Sequence, residues 1–147
     1  MLYHIPSIIS PELLKVLMEM GHGDEICIAD GNFPGASFAA VNNAQLVRLD
    51  GHSIPDILEA VLTLMPLDPL PAYSAFLMEC PPENEVPCPI HNVYAKIISQ
   101  KTDIEENKAY EKISPDSFYE RAKKCYCIVT SGEKALYANI LLRKGIV

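Results

Sequence analysis

The sequence predicts an α/β fold: a single domain spanning residues 1–147, with a largely parallel sheet and helices on both faces. Two observations carry this. Short apolar runs of strand length alternate along the chain with segments whose apolar residues recur at helical spacing, the order that builds strand–helix–strand units. The chain has 147 residues, the size of one domain able to bury a core without disulfide or metal staples. No internal repeat divides it.

Ser10-Pro11-Glu12 predicts the first helix start, with a serine cap, proline in the first turn and an acid behind it. Leu13, Leu14, Leu17 and Met18 then form the apolar stripe expected to face the core, and Gly21 is placed to stop the helix as a C′ glycine. Ile26 to Ala29 reads as a short buried strand closing on Asp30-Gly31-Asn32. Residues 31–44 lack periodicity and are rich in Gly, Asn, Ala and Pro, which predicts a long loop, functional or disordered. Leu46–Leu49 is the next strand. Ser53 caps a second helix, with Ile57, Leu58, Val61, Leu62 and Met65 inward and Pro66 at its end. Tyr73–Met78 predicts another strand and Cys80–Pro89 a Pro-rich loop. Ile90, Val93, Tyr94, Ile97 and Ile98 repeat as a third helical stripe. Lys101–Lys112 is charged and expected to be solvated. Ser114-Pro115-Asp116 repeats the cap-then-proline start for a fourth helix. Cys125–Thr130 and Ile140–Arg143 complete the strands.

Apolar residues make up 49% and charged residues 21% of the chain, which excludes wholesale disorder. With a net charge of -7 and only one short basic run, Arg121-Ala122-Lys123-Lys124, in the last turns of a helix, nucleic acid is not an expected partner. No targeting segment is read at the start, and the most apolar window, Ile57–Leu67, is too short for a bilayer. The five scattered cysteines, Cys27, Cys80, Cys88, Cys125 and Cys127, read as reduced thiols, hence a cytoplasmic setting. Cys125-x-Cys127 has no second ligand pair at matching spacing and reads as structural rather than metal-binding. His52 and His91 read as surface residues at helix starts. Arg48 and Asp50 are spaced for a local ion pair.

Several residues have the chemistry of a site. His22 stands between two glycines, which let backbone and ligand approach, and an imidazole is a side chain able to give or take a proton at cellular pH; Asp24 and Glu25 are close enough to orient or charge it. An exposed histidine in a helix-to-strand turn is the equal alternative. Asp30 follows a strand, where α/β sheets bind ligands, though Asp before Gly is also a common turn. Asp68 reads as turn and Met78 as core. Phe118 and Tyr119 cannot both face the core, so one of the two is on display, and a phenol is a good sugar ligand because it offers a hydroxyl and an apolar face together. Tyr137 and Asn139 alternate across Ala138 and share a face in extended chain; Asn139 can both donate and accept. No phosphate loop, dinucleotide fingerprint or serine-nucleophile elbow is present.

The segments Met20-Gly21-His22-Gly23-Asp24-Glu25-Ile26 and Phe118–Gly145 (Phe118-Tyr119-Glu120-Arg121, Thr130-Ser131-Gly132-Glu133 and Leu136-Tyr137-Ala138-Asn139) closely resemble the sugar mutarotase family, the fucose mutarotases and their ribose pyranase relatives. The resemblance covers most of the chain, in order. It implies a ribose pyranase/fucose mutarotase-like fold and an isomerase that interconverts α and β anomers of a reducing sugar such as L-fucose, with no cofactor and no metal. It implies His22 as proton donor, Asp30 as the holder of sugar hydroxyls, and Asp68, Met78, Tyr119, Tyr137 and Asn139 as further sugar-binding positions. It also implies a homo-oligomer, a decameric ring in bacterial relatives, with sites at subunit boundaries and Arg143–Val147 as a contact to a neighbour. Two departures stand out: Ala138 replaces the family's usual glycine, and Pro115 stands where several bacterial relatives carry arginine, leaving that role to Tyr119. A ribose pyranase-like activity and a non-catalytic sugar-binding module are the other readings.

Overall fold

The computed structural model describes residues 2–81 and 88–147, so the expected Cys80–Pro89 loop lies largely outside the described residues. Six strands form one mixed sheet: β1 (Glu25–Ala29), β2 (Gln45–Leu49), β3 (Ala75–Met78), β4 (Glu111–Ile113), β5 (Cys127–Ser131) and β6 (Ile140–Arg143), in the order β2-β5-β1-β6-β3-β4. β1 and β2 both run parallel to β5, and β3 parallel to β4; only β6 is antiparallel to its neighbours β1 and β3. The carboxyl ends of the other five strands therefore share one edge of the sheet, together with the amino end of β6. Five helices pack on it: α1 (Pro11–Glu19), α2 (Gly35–Val41), α3 (Ile54–Leu64), α4 (Pro89–Lys101) and α5 (Pro115–Ala122).

Strand alternation divides the core in two. Ile26 and Ile28 of β1, with Val47, Val129, Ile140 and Leu142, face the layer built by α1, α3 and α4. Cys27 and Ala29, with Phe76, Met78, Ile128 and Leu141, face Phe118 and Ala122 of α5 and the aromatics Phe33 and Phe38 around α2. Three helices start as their sequences require: the Oγ atoms of Ser10, Ser53 and Ser114 accept from the N–H groups of Leu13, Asp56 and Ser117 at 3.2, 3.3 and 3.2 Å. Among the described residues no helix is long and apolar enough to cross a membrane.

The structure corrects several expectations. Residues 31–44 are not all loop, because α2 occupies Gly35–Val41. Its glycine lets the helix lie directly on β5: a Cβ at Gly35 would come within 2.8 Å of Thr130 Cγ2. Within the charged 101–112 segment, a 3₁₀ turn (Glu106–Lys108) and the edge strand β4 have formed. Met18 is exposed, and α1 buries Leu13, Val16 and Leu17 instead. Gly21 does not adopt a left-handed C′ conformation; that region is reached at Gly23 (φ 86°). The end of α1 is capped by Lys144, whose Nζ donates to the carbonyls of Leu17 and Met20, a cation where the helix dipole favours one. In α4 the buried stripe is His91, Tyr94, Ala95 and Ile98, so His91 is not the surface residue its sequence position suggested.

Candidate active site

At the shared edge, a pocket of about 170 Å³ opens between the end of β1, the β5–β6 connection and α5. It is smaller than the roughly 300–1,000 Å³ of pockets that enclose drug-sized ligands, and so suits a small molecule. Asp30, Tyr119, Tyr137 and Asn139 line it, as does Met78 from the end of β3; Phe33, Pro34 and Leu136 supply apolar walls that sequence reasoning missed. Five of the seven expected site residues thus converge on one cavity, although they come from positions 30 to 139.

Each is held by its local structure. Asp30 is 5% exposed. Its backbone N–H donates to Asn139 Oδ1 at 2.7 Å, and its Oδ1 accepts from Asn32 N–H at 2.9 Å. Burial pushes the Asp30 carboxyl up, hydrogen bonds from Asn32, Phe33 and Asn139 partly offset this, and the net direction is upward. Phe118 is fully buried while Tyr119 reaches the pocket, as two successive aromatics on a helix require. The Tyr119 ring stacks on Phe33 at 6.0 Å and tilts against Phe38 at 5.6 Å.

Tyr137 and Asn139 do share the pocket, but not through an extended chain. Tyr137 lies in a turn with φ 55°, a left-handed conformation that is rare outside glycine. Ala138 is fully buried and has no positive φ, so alanine in place of glycine carries no backbone penalty there.

His22 and Asp68 form a second cluster. His22 Nε2 lies 3.0 Å from Asp68 Oδ2, and Arg143 Nε lies 2.9 Å from the same oxygen. The Asp68 side chain is completely buried, whereas that of His22 is 41% exposed. Burial pushes the Asp68 carboxyl up, but the Leu70 N–H, His22 and the Arg143 charge outweigh it and leave the group below the usual carboxylate range. An ionised Asp68 only accepts, so Nε2 of His22 carries the proton and Nδ1 is the nitrogen left to exchange one. Asp24 and Glu25 do not orient the ring. Asp24 Oδ2 accepts from Gly21 N–H at 2.7 Å, and Glu25 is engaged by the Arg121 guanidinium, which also covers Phe76. The true partner is 46 residues away, beyond the reach of local spacing.

The two clusters sit at opposite edges of the sheet. His22 precedes β1 and Asp30 follows it; the strand has five residues, so at about 3.3 Å per residue its ends are roughly 16 Å apart. Within one copy, His22 does not enter the Asp30 pocket, and Asp68 lies beside His22 rather than in that pocket. An apolar groove of about 530 Å³, lined by Leu14, Met18, Pro66 and Ile146 among others, adjoins His22.

Other candidates take ordinary structural places. Arg48 pairs with Asp50 at 2.7 Å. Cys27, Cys125 and Cys127 are buried, and burial raises their thiols, which makes them unreactive packing groups. No group of three or more His, Cys, Asp or Glu among the described residues is arranged to hold a metal.

The RbsD / FucU transport protein family model matches residues 3–147, and the chain belongs to that family. It is 43% identical over 146 residues to the fucose mutarotase of Homo sapiens, covering 97% of this chain and 92% of the relative. FucU from Bifidobacterium longum superposes with a TM-score of 0.93 at 49% identity, covering 98% and 99% of the two chains. The fucose mutarotase from Streptococcus pneumoniae, in complex with L-fucose, gives 0.90 at 46% identity, covering 99% of each.

Proposed function

We propose, from membership of the RbsD/FucU family, that this protein is an isomerase interconverting the α and β anomers of L-fucose. One observation carries the reading: the Asp30–Asn139 pocket, of monosaccharide scale and mixed polar and apolar lining, occurs in a chain 46% identical over nearly its whole length to a fucose mutarotase bound to L-fucose. Asp30 and Asn139 supply acceptors and donors for vicinal hydroxyls. Tyr119 and Tyr137 each offer a hydroxyl and an apolar face.

The reaction needs only proton movement. A base removes the anomeric hydroxyl proton, an acid protonates the ring oxygen, the C1–O5 bond breaks and the aldehyde forms. Rotation about C1–C2 and reclosure invert the centre. No electrons are exchanged, so no redox cofactor enters the balance. General acid–base help of about 10²–10⁴-fold, added to orientation, is enough for a reaction that already proceeds in water. His22 moves the proton at Nδ1, with Asp68 fixing its tautomer.

Because His22 and the pocket occupy opposite sheet edges, a complete site requires a second copy that brings its His22 to this copy's pocket. The exposed apolar groove beside His22 favours such a neighbour, and we extend the proposal to a ring-shaped homo-oligomer, decameric as the family resemblance implies. Saturation-transfer NMR on L-fucose, D-ribose and D-galactose tests the reading. Exchange between the pyranose anomers of L-fucose is expected. Exchange confined to ribose pyranose and furanose forms would make it a pyranase, and sugar binding with no exchange would make it a binding module.

A further inference from the structure

We propose that Cys88, His91 and Tyr94 form a positioning ladder that holds the Leu136–Asn139 turn in the conformation presenting Tyr137 to the pocket; this rests on the mutarotase reading of that pocket. Tyr137 is a non-glycine residue at φ 55°, a conformation that persists only where surrounding groups over-determine it. Three side chains from α4 and its cap do so. Spaced three residues apart, they form one stripe and reach three consecutive carbonyls. Cys88 Sγ donates to Leu136 O at 3.9 Å, a weak bond. His91 Nε2 donates to Tyr137 O at 2.8 Å. The Tyr94 hydroxyl donates to Ala138 O at 2.8 Å. The next residue, Asn139, is tied from the other side by the Asp30 N–H.

The chemistry of the two strong donors is settled by their surroundings. A carbonyl only accepts, so Nε2 of His91 must carry the proton. The ring is 2% exposed, and burial lowers its pKa, which keeps it neutral with Nδ1 bare. That Nδ1 is buried without a hydrogen-bond partner among the described residues. A buried imidazole with one nitrogen unsatisfied is costly, and the ring's one described hydrogen bond is its donation to the Tyr137 carbonyl. Tyr94 is fully buried, and burial pushes its hydroxyl up, so it too remains a donor. Tyr137 packs against the core cluster that includes Phe33 and Phe118, on the face of the sheet opposite α4.

His91→Phe removes one donor, Tyr94→Phe removes only a hydroxyl, and His91→Gln returns an N–H near Nε2. Each variant is compared with wild type by NMR anomer exchange at saturating L-fucose, well below its melting temperature. A misplaced Tyr137 should lower the maximal exchange rate of His91→Phe by about 10–100-fold, with a smaller loss in Tyr94→Phe. His91→Gln should recover most of the rate, whether or not its Tm recovers. In parallel, ¹⁵N spectra of wild type should show His91 as the Nε2–H tautomer. Backbone ¹³C shifts should show Tyr137 left-handed in wild type and displaced in His91→Phe. Wild-type maximal rates in both His91→Phe and Tyr94→Phe would overturn the inference, as would an Nδ1–H tautomer. If wild type exchanges no anomers, the mutarotase reading fails, and the ladder stands or falls on the tautomer and the Tyr137 shifts.

Discussion

At the scale of single residues, the proposed mechanism assigns proton movement to His22 and the holding of hydroxyls to Asp30. His22 sits in a loop and is 41% exposed, so His22→Ala should keep the fold, at a cost of about 1–3 kcal/mol because the buried Asp68 carboxylate loses one of its partners, while cutting anomer exchange by about 10²–10⁴-fold; NMR exchange and thermal melting check both halves. A wild-type rate in that variant would move the acid–base role to Tyr119 or Tyr137. The two carboxylates respond oppositely to pH. Asp68 is held below the ordinary value, so its contribution to stability is present above about pH 3.9 and is lost as pH falls through its lower folded pKa. Asp30 is raised: the folded state binds its proton more tightly, so stability declines as pH rises from about 3.9 to the folded value. Asp30→Asn removes that penalty and keeps an acceptor for the Asn32 N–H. We expect a Tm at pH 7 equal to or above that of wild type, together with weaker sugar binding; a clearly lower Tm would show that the charge is needed for folding.

At the scale of elements, the legible parts were those that carry local chemistry. The three serine-capped helices announced themselves through Ser10, Ser53 and Ser114, and the buried strands through continuous apolar runs. By contrast, α2 is seven residues long and its cap, Pro34, makes no side-chain hydrogen bond, so nothing local marked it. β4 is a three-residue edge strand with no buried residue, and its pairing depends on β3 being there. The pocket-lining residues Asp30, Tyr119, Tyr137 and Asn139 stood out through their segments, yet the His22–Asp68 pair and the buried role of His91 depend on tertiary contacts that no local spacing displays. Element packing also makes a prediction at Gly35. An added Cβ would meet Thr130 Cγ2 at 2.8 Å and Ile128 Cγ2 at 3.3 Å. Thr130 cannot swing aside easily, because it is β-branched and its hydroxyl donates to Asp50 at 3.0 Å. Gly35→Ala should therefore lift α2 from β5 at a cost of about 1–3 kcal/mol, measured by denaturant unfolding. It should also raise the half-saturating sugar concentration, since Phe33 and Phe38 back the Tyr119 ring. An unchanged unfolding midpoint would show that the helix is not seated on the strand.

For the molecule as a whole, the decisive feature is that the chain carries two unlike clusters, His22–Asp68 and the Asp30 pocket, on opposite sheet edges. If His22 of one copy serves the Asp30 pocket of the next, the contact is heterologous, and such contacts close into rings when the rotation permits. Light scattering at micromolar concentration should then give a mass well above the 16.3 kDa of one chain; a monomer at full activity would refute the shared site. Complementation gives a sharper measurement. His22→Ala chains keep an intact pocket, and Asp30→Ala chains keep an intact His22. Assayed at sugar concentrations well below saturation, either variant alone should be nearly inactive at every boundary, His22→Ala for want of the acid–base group and Asp30→Ala for want of bound sugar. After unfolding together at equal amounts and refolding, random assembly places an intact His22 against an intact pocket at about a quarter of the boundaries of a heterologous ring. The mixture should therefore regain roughly that share of wild-type exchange, although neither parent has it. No recovery, with mixed assembly confirmed by mass spectrometry, would mean that both half-sites act within one copy, which the sheet between them opposes.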